Sequence, residues 1–575
     1  MAETLTARMT ALNPFNKTNR KASDEDVGEQ INADTVAGGG HGNETKADLR
    51  VNVALQSFLA DQGAIPEAGK DGGSTPAVQQ LLDKPHVVVP ASLTDRSHPL
   101  PEYFISSSHN TYLMAHQLYG SSNASAYELA LNTGSRCVEI DAWDNDDIED
   151  EPKVTHGYTL VSNIPFRSVC ETIRNVVDKE AAEEVDAQGY RAAPIVLSLE
   201  NHCGPHGQLR LANIMTEVFG DRLLSKAVRE EDTAEQNGGS HVALGELGSK
   251  VVVIVEYHFP NEKDDSGSSS DSESEDEAGK RERQKYKEKK QAAPAVGIIP
   301  ELAALGVYAQ SVKPRDNSWF EQIEGLKGAP HHHLINVSES GLASHLPASA
   351  EKIARHNASH LMRVYPKGTR ISSRNLDVVP FWGIGAQICA LNWQTFGASM
   401  QLNNALFSGT DGFVLKPAAL RSGGNGVLNG RKKKLTLHVA GASDIPCPTE
   451  KKDDLKPYLT CTLIHPDNLD SDKNVKRKTG AYKQHKLSKL LHKDSPPVTD
   501  PLWDEKLEWE YDDNELTFMR LSIKSDDSFA TNPTYAIAAV RLVYVQPGWC
   551  FIRMLDLKGA ETACSLCIKF HFEDL

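Results

Sequence analysis

The chain has 575 residues, long enough for two or three domains, each with its own core. Its formal net charge of −17 leaves no dominant basic face, which argues against nucleic acid as the main partner. No apolar run approaches the roughly 20 residues that a bilayer span requires; VVVIV near 253 and YAIAAVRLVYV near 540 are of strand length.

The start, MAETLTARMT, carries an acid and lacks an apolar h-region, so no signal peptide is expected. The nine cysteines are scattered and odd in number, which suits free thiols in a reducing cytosol. Cys564 and Cys567 lie in an apolar terminal run and are read as packing residues, since a metal site needs a second ligand pair.

Residues 1–47, rich in Asn, Gly, Thr and charge, are expected to be a disordered tail. From 48 to 97 a helical pattern appears, as in VALQSFLADQG, but no D-x-D-x-DG calcium loop, so at most an EF-hand remnant is expected. Between 98 and 260 strands alternate with helices: SVCETIRNVVDKEA from Ser168, the strand PIVLSLE, then a helix from Leu209 to about Leu224. This spacing predicts a parallel β/α barrel.

The composition breaks at 261–296, where DDSGSSSDSESEDE and KRERQKYKEKK cannot bury apolar area and read as a disordered insert. The alternation resumes over 297–421, through HLMRVYP and QICALNWQT to GFVLKPAALR, so one barrel is written in two halves. From 432 to 575 the period becomes two, in KLTLHVAGA, YLTCTLIHP, KLEWEYDD, FMRLSIKSDD, IAAVRLVYV and CSLCIKFHF. The expected fold class is therefore α/β, a split TIM-type barrel followed by an antiparallel β-sandwich.

Four apolar runs end on reactive groups: FISSSHNTYL on His109 and Asn110, RCVEIDAWD on Glu139 and Asp141, KVTHGYT on His156, and PIVLSLENH on Glu200. Alternation puts Glu139 and Asp141 on one strand face, about 7 Å apart, where they repel unless a cation sits between them. Asn110 and Glu200 complete an all-oxygen set that favours calcium over magnesium. His109 and His156 remain for acid–base or charge-stabilising work at the C-terminal ends of the strands. The triplet His331–His333 is expected in a surface loop, because consecutive histidines cannot all face one ion in a regular strand.

SSSHNTYL, RCVEIDAWD, HGYT and LSLENH closely resemble the X half of eukaryotic phosphoinositide-specific phospholipase C. ALNWQT and GFVLKPAALR resemble its Y half, and the sandwich resembles its C2 domain, in a delta-like layout without a pleckstrin-homology domain. The resemblance implies that Asn110, Glu139, Asp141 and Glu200 bind Ca2+, with Glu139 or Glu200 taking the inositol 2-hydroxyl proton. His109 would stabilise the transition state, and His156 would protonate the departing diacylglycerol oxygen. Arg363 and Tyr365 fit the family's headgroup-binding positions, and Asn336 stands where a serine contacts the same phosphate region. Ile254 and Glu256 stand where the family has two lysines, which predicts relaxed specificity toward phosphatidylinositol or its monophosphate.

Further expectations follow from the same family. Leu118 and Leu160 match an apolar membrane ridge whose third, aromatic position falls at Thr369, and the insert falls at the autoinhibitory X/Y linker. Asp453, Asp454, Asp526 and Asp527 are candidate calcium ligands of the sandwich, although Lys456 stands where an aspartate often precedes the proline. The implied protein is a cytoplasmic, peripheral membrane monomer that acts on phosphatidylinositol lipids. Two rival readings are a catalytically silent lipid-binding scaffold on the same fold and a glycerophosphodiester phosphodiesterase. The attached sandwich and divided barrel disfavour the latter.

Overall fold

The structure, a computed structural model, describes residues 48–69, 73–114, 122–155, 163–183, 192–229, 241–259, 297–314, 316–321, 326–367, 370, 373–447, 454–470, 473–484, 496–526 and 534–575. The tail, the insert, the ridge positions Leu118, Leu160 and Thr369, and the aspartates 453 and 527 lie outside the described residues.

Strands β1 (Tyr103–His109) and β2 (Cys137–Trp143) are followed by a short excursion, β3 (Lys153–Val154) and β4 (Ile164–Pro165). Then come β5 (Ile195–His202), β6 (Val251–Tyr257), β7 (Gln310–Val312), β8 (His333–Ser338), β9 (Leu361–Tyr365) and β10 (Ile388–Asn392). Pairing runs β1-β10-β9-β8-β7-β6-β5-β2, and a parallel contact of Ser107 with Cys137 closes the ring of parallel strands. β11 (Phe413–Leu415) pairs antiparallel with β1, outside the ring.

Alternation sorts each barrel strand. Val138, Ile140, Leu197 and Val253 pack outward against the helix Phe166–Ala182, whose Val169, Ile173, Val176 and Val177 face them at helical spacing. The next helix runs from Pro205 to Phe219 rather than from Leu209 to Leu224. Pro205 sets its first turn, and Gly220, at φ 51°, ends it. The alternate residues Ile105, Cys137, Val196, Val252, Leu334, Leu361 and Ile388 meet in a separate apolar cluster, which is the barrel floor.

Two expectations are corrected. Lys153 and Val154, which open KVTHGYT, are not part of a fourth barrel strand: they form the two-residue β3, antiparallel to β2, and His156 lies outside the described residues. The run is too short and too polar to span the barrel wall. Nor is His331–His333 a surface loop, since His332 and His333 are only 6% and 2% exposed. His333 opens β8 where that strand enters the barrel floor, so its neighbours cover it.

The second sheet holds β12 (Arg431–Ser443), β13 (Pro457–Ile464), β14 (Val475–Lys478), β15 (Leu502–Asp513), β16 (Phe518–Ser525), β17 (Thr534–Arg541), β18 (Gly548–Leu555) and β19 (Glu561–Asp574). Its order is β14-β13-β16-β17-β18-β19-β12-β15, all antiparallel, a C2-like sandwich. β14, with the sequence VKRK, is exposed throughout. Its charges guard a sheet edge, so it carries no apolar signal. Tyr544 reaches from the sandwich to the Leu406 carbonyl of the barrel, and Trp382 packs on Phe518. The helix Val53–Asp61, capped by the Asn52 side chain, docks on the other flank against Trp549 and Phe551.

Candidate active site

Each barrel strand steps inward by two residues from an apolar floor to a polar mouth. From Cys137 the same face of β2 presents Glu139 and Asp141, and from Val196 that of β5 presents Ser198 and Glu200. Likewise β1 ends on His109, β9 on Arg363 and Tyr365, and β10 on Asn392. The parallel register sets Asp141 beside Glu200, Asn336 beside Arg363, and His109 beside Asn392.

Oxygen atoms of Glu139, Asp141 and Glu200 lie within 4.8 Å of one another. Asn110 joins them through its backbone N–H, which donates to Glu139 Oε2 at 2.7 Å. It holds φ at 47°, a left-handed conformation that asparagine tolerates better than most residues. Tyr112 lies behind, its hydroxyl 2.7 Å from Asp141 Oδ2 and 3.1 Å from Asn110 Oδ1. Asp141 Oδ1 is buried with no hydrogen-bond partner among the described residues.

Three carboxylates in one buried place cannot all ionise at ordinary pH. Burial, and then the charge of Glu139, push Asp141 up to about 8. The same causes, joined by Asp141, raise Glu200 well above the usual carboxylate range. Burial is the largest single influence on Glu139 and acts to raise it, but Arg363, His109 and hydrogen bonds from Glu200 and the Asn110 N–H together outweigh it and hold that group at about 2. Arg363 is 1% exposed and donates from Nη2 to Glu139 Oε1 at 2.6 Å. Its Nη1 donates to Asn336 Oδ1 at 3.2 Å and sits 3.7 Å from Glu200. The guanidinium thus supplies positive charge to the oxygen cluster.

His109 Nδ1 lies 2.7 Å from Asn392 Oδ1, and Nε2 lies 4.0 Å from Glu139. An amide oxygen only accepts, so Nδ1 carries the proton and Nε2 faces the mouth. Burial, and the nearby Arg363, lower the pKa of His109 despite the pull of Glu139. On β6, Ile254 is buried in the floor cluster, and Glu256, two residues on, continues the inward face with its carboxylate 3.6 Å from His258. Tyr365 stands with its ring 5.8 Å from the Arg363 guanidinium.

Asn110, Glu139, Asp141 and Glu200 therefore converge, with His109 beside them. Arg363 and Asn336 lie under the oxygen cluster, engaged with it and with each other. Sequence reasoning missed Tyr112, Asn392 and the Glu139–Arg363 pair. Asn392 and Arg363 carry the signal that would have found them, a polar residue on the inward step of an otherwise apolar strand.

Over residues 96–257 the chain matches the family described as phosphatidylinositol-specific phospholipase C, X domain, and over 302–419 the corresponding Y domain. It is 30% identical over 526 residues to 1-phosphatidylinositol 4,5-bisphosphate phosphodiesterase of Dictyostelium discoideum, covering 83% of this chain and 60% of the relative. It is 32% identical over 489 residues to the delta-3 enzyme of that name from Homo sapiens, covering 84% of this chain and 57% of the relative. The chain spans about 60% of the length of these relatives. The crystal structure of L. pealei PLC21 aligns with a TM-score of 0.67 at 24% identity, over 91% of this chain and 62% of that one, a likeness of fold.

Proposed function

The chain belongs to the phosphatidylinositol-specific phospholipase C family, and on that premise we propose that it cleaves the phosphodiester of phosphatidylinositol lipids in a calcium-dependent reaction. The products are diacylglycerol and an inositol phosphate, formed through a cyclic intermediate. The observation that carries this reading is the trio of carboxylates on adjoining strands, with an unpartnered buried oxygen at Asp141.

An all-oxygen set that cannot ionise unaided suits a hard dication, so the residues fit calcium. Glu139, Asp141, Glu200 and Asn110 would hold it. When bound, the ion supplies Lewis acidity, polarising a phosphoryl oxygen and lowering the pKa of a hydroxyl. Glu139 or Glu200 accepts the inositol 2-hydroxyl proton. His109, oriented by Asn392 through Nδ1–H, turns Nε2 toward the mouth; as the imidazolium, which the anionic phosphodiester beside it favours, it donates from Nε2 to the charge developing on phosphorus. His156 would return a proton to the leaving oxygen.

Arg363, Tyr365 and Asn336 form the headgroup side of the same mouth. Arg363 becomes available to a phosphate only as far as Glu139 finds another cation, which couples headgroup binding to the ion. Ile254 offers no charge, and Glu256 adds a negative one, each standing where a family lysine was expected. Charge-assisted contacts contribute on the order of 1.5–3 kcal/mol each, so phosphatidylinositol and its monophosphate should compete well with the bisphosphate. Access to lipid is from the membrane surface; no helix among the described residues is long and apolar enough to cross a bilayer.

The test is release of inositol phosphate from mixed vesicles carrying each of the three lipids in turn. Activity that vanishes with a calcium chelator supports the reading, and chelator-resistant cleavage contradicts it. A strong preference for the bisphosphate would remove the specificity claim alone.

A further inference from the structure

The opposite end of the barrel carries a second polar cluster, made of imidazoles. His241 precedes β6, in the X half, and His331 and His332 lead into β8, in the Y half. One ring nitrogen from each of the three lies within 4.8 Å of the others. His241 Nδ1 and His332 Nδ1 are 3.0 Å apart, and the rings of His241 and His331 stack at 4.5 Å. His331 and His332 form a turn ahead of the strand, and this lets consecutive side chains converge.

We propose that His241, His331 and His332 bind a divalent transition metal of the zinc class, which ties the two halves of the barrel together at its floor. In tetrahedral zinc sites, with Zn–N near 2.0–2.1 Å, ligand nitrogens stand about 3.3 Å apart, so the nitrogens must close up from within 4.8 Å and one of the stacked His241 and His331 rings must turn to bring its lone pair to the ion. Water completes such a three-imidazole set. Imidazoles without a carboxylate select zinc, copper or nickel and not calcium, so the two ends of the barrel differ in ligand class.

The supporting frame is fixed by main-chain bonds. Ala243 pairs with Pro99, the Leu244 N–H donates to the His98 carbonyl, and the His332 carbonyl accepts from Gln310. The Ser359 backbone hydrogen-bonds the His241 ring, the kind of outer contact that orients metal-binding histidines. His241 and His332 border a cleft that leaves about 10 Å³ for the centre of a water-sized sphere, room for one ion or water. His360 borders it too: this residue is 4% exposed, and its Nδ1 has no hydrogen-bond partner among the described residues.

A metal here has a structural use. The two halves are joined in sequence through the long segment 260–296, and the floor of a β/α barrel is the end that serves stability. The test is zinc titration of the chelator-stripped full chain in excess calcium, followed by calorimetry and zinc X-ray absorption. The expected result is one zinc per chain, imidazole nitrogens in its first shell, and a raised melting temperature. His241→Gln and His331→Gln should each weaken binding by more than the ~10–100-fold that follows loss of an outer contact, while leaving calcium-dependent cleavage unchanged. No bound zinc, a first shell of oxygen alone, or variants that bind like the wild type would each overturn the proposal. The absorption measurement on the wild-type chain decides even where a variant fails to fold.

Discussion

The two ends of the barrel are built from the same strands and teach opposite lessons about polar groups in a protein interior. At the floor, Leu334, Leu361 and Ile388 close an apolar cluster, and the imidazoles beside it are held neutral by burial. At the mouth, two residues further along each strand, carboxylates are crowded beyond what can ionise, and a buried guanidinium meets only part of their charge. Burial without a charged partner silences a titratable group, as in His333. Burial beside like charges leaves an unmet demand for a cation, as at Asp141.

Removing one member of the charged set should cost most. In Glu139→Ala, Arg363 loses its 2.6 Å partner and keeps only Glu200, at 3.7 Å; breaking a buried pair costs up to about 3–5 kcal/mol. Urea denaturation should show that loss, and lipid cleavage should fall to background. His109→Ala should leave stability near that of the wild type but lower turnover by about 10²–10³-fold, as loss of a charge-stabilising donor does. Asn392→Ala keeps the imidazole but frees its ring, so the decrease in kcat should be smaller, up to about 10²-fold.

The mouth also predicts a pH dependence opposite in sign to that of the floor, whose buried histidines cost stability only as pH falls below 6.5. In the ion-free chain Asp141 is raised from 3.8 to about 8, so between these values the folded state binds the extra proton. Its contribution to stability is complete below pH 4 and is lost as pH rises through 8. Glu139 acts in the opposite sense, lowered from 4.5 to about 2, with its contribution present above pH 4.5 and lost toward pH 2. Melting temperatures in chelator should therefore fall from pH 7 to pH 9, above the range in which the buried histidines of the floor titrate, and added calcium should stabilise more at pH 9 than at pH 6. A melting temperature independent of pH would count against the crowded carboxylates. The smallest effect is expected far from both ends: Asn52→Ala removes a helix cap and the amide's buried hydrogen bonds to Ala442 and Ser443 on the sandwich flank, at about 2 kcal/mol in thermal unfolding.

Much of this was legible in the sequence because the barrel interior obeys a period of two. Glu139 and Asp141 flank Ile140, and that alone assigns them to one face. Chain order could not reveal the partner of each group, since Arg363 lies 224 residues from Glu139 and Asn392 lies 283 from His109. Charged edge strands such as β14 bury nothing and leave no hydrophobic trace. The run KVTHGYT reads like another strand end, yet β3 belongs to an antiparallel excursion. The histidine triplet misled for a different reason: the chain does turn at His331 and His332, but its neighbours bury His332 and His333.

Calcium titration of the chelator-stripped wild-type chain and of Asp141→Asn, with cleavage of phosphatidylinositol vesicles followed on the same samples, tests the central claim most directly. A cation site at the barrel mouth predicts that binding and cleavage rise together in the wild type and are lost together in the variant. Calcium binding of wild-type strength in Asp141→Asn, or cleavage that persists without bound calcium, would contradict it.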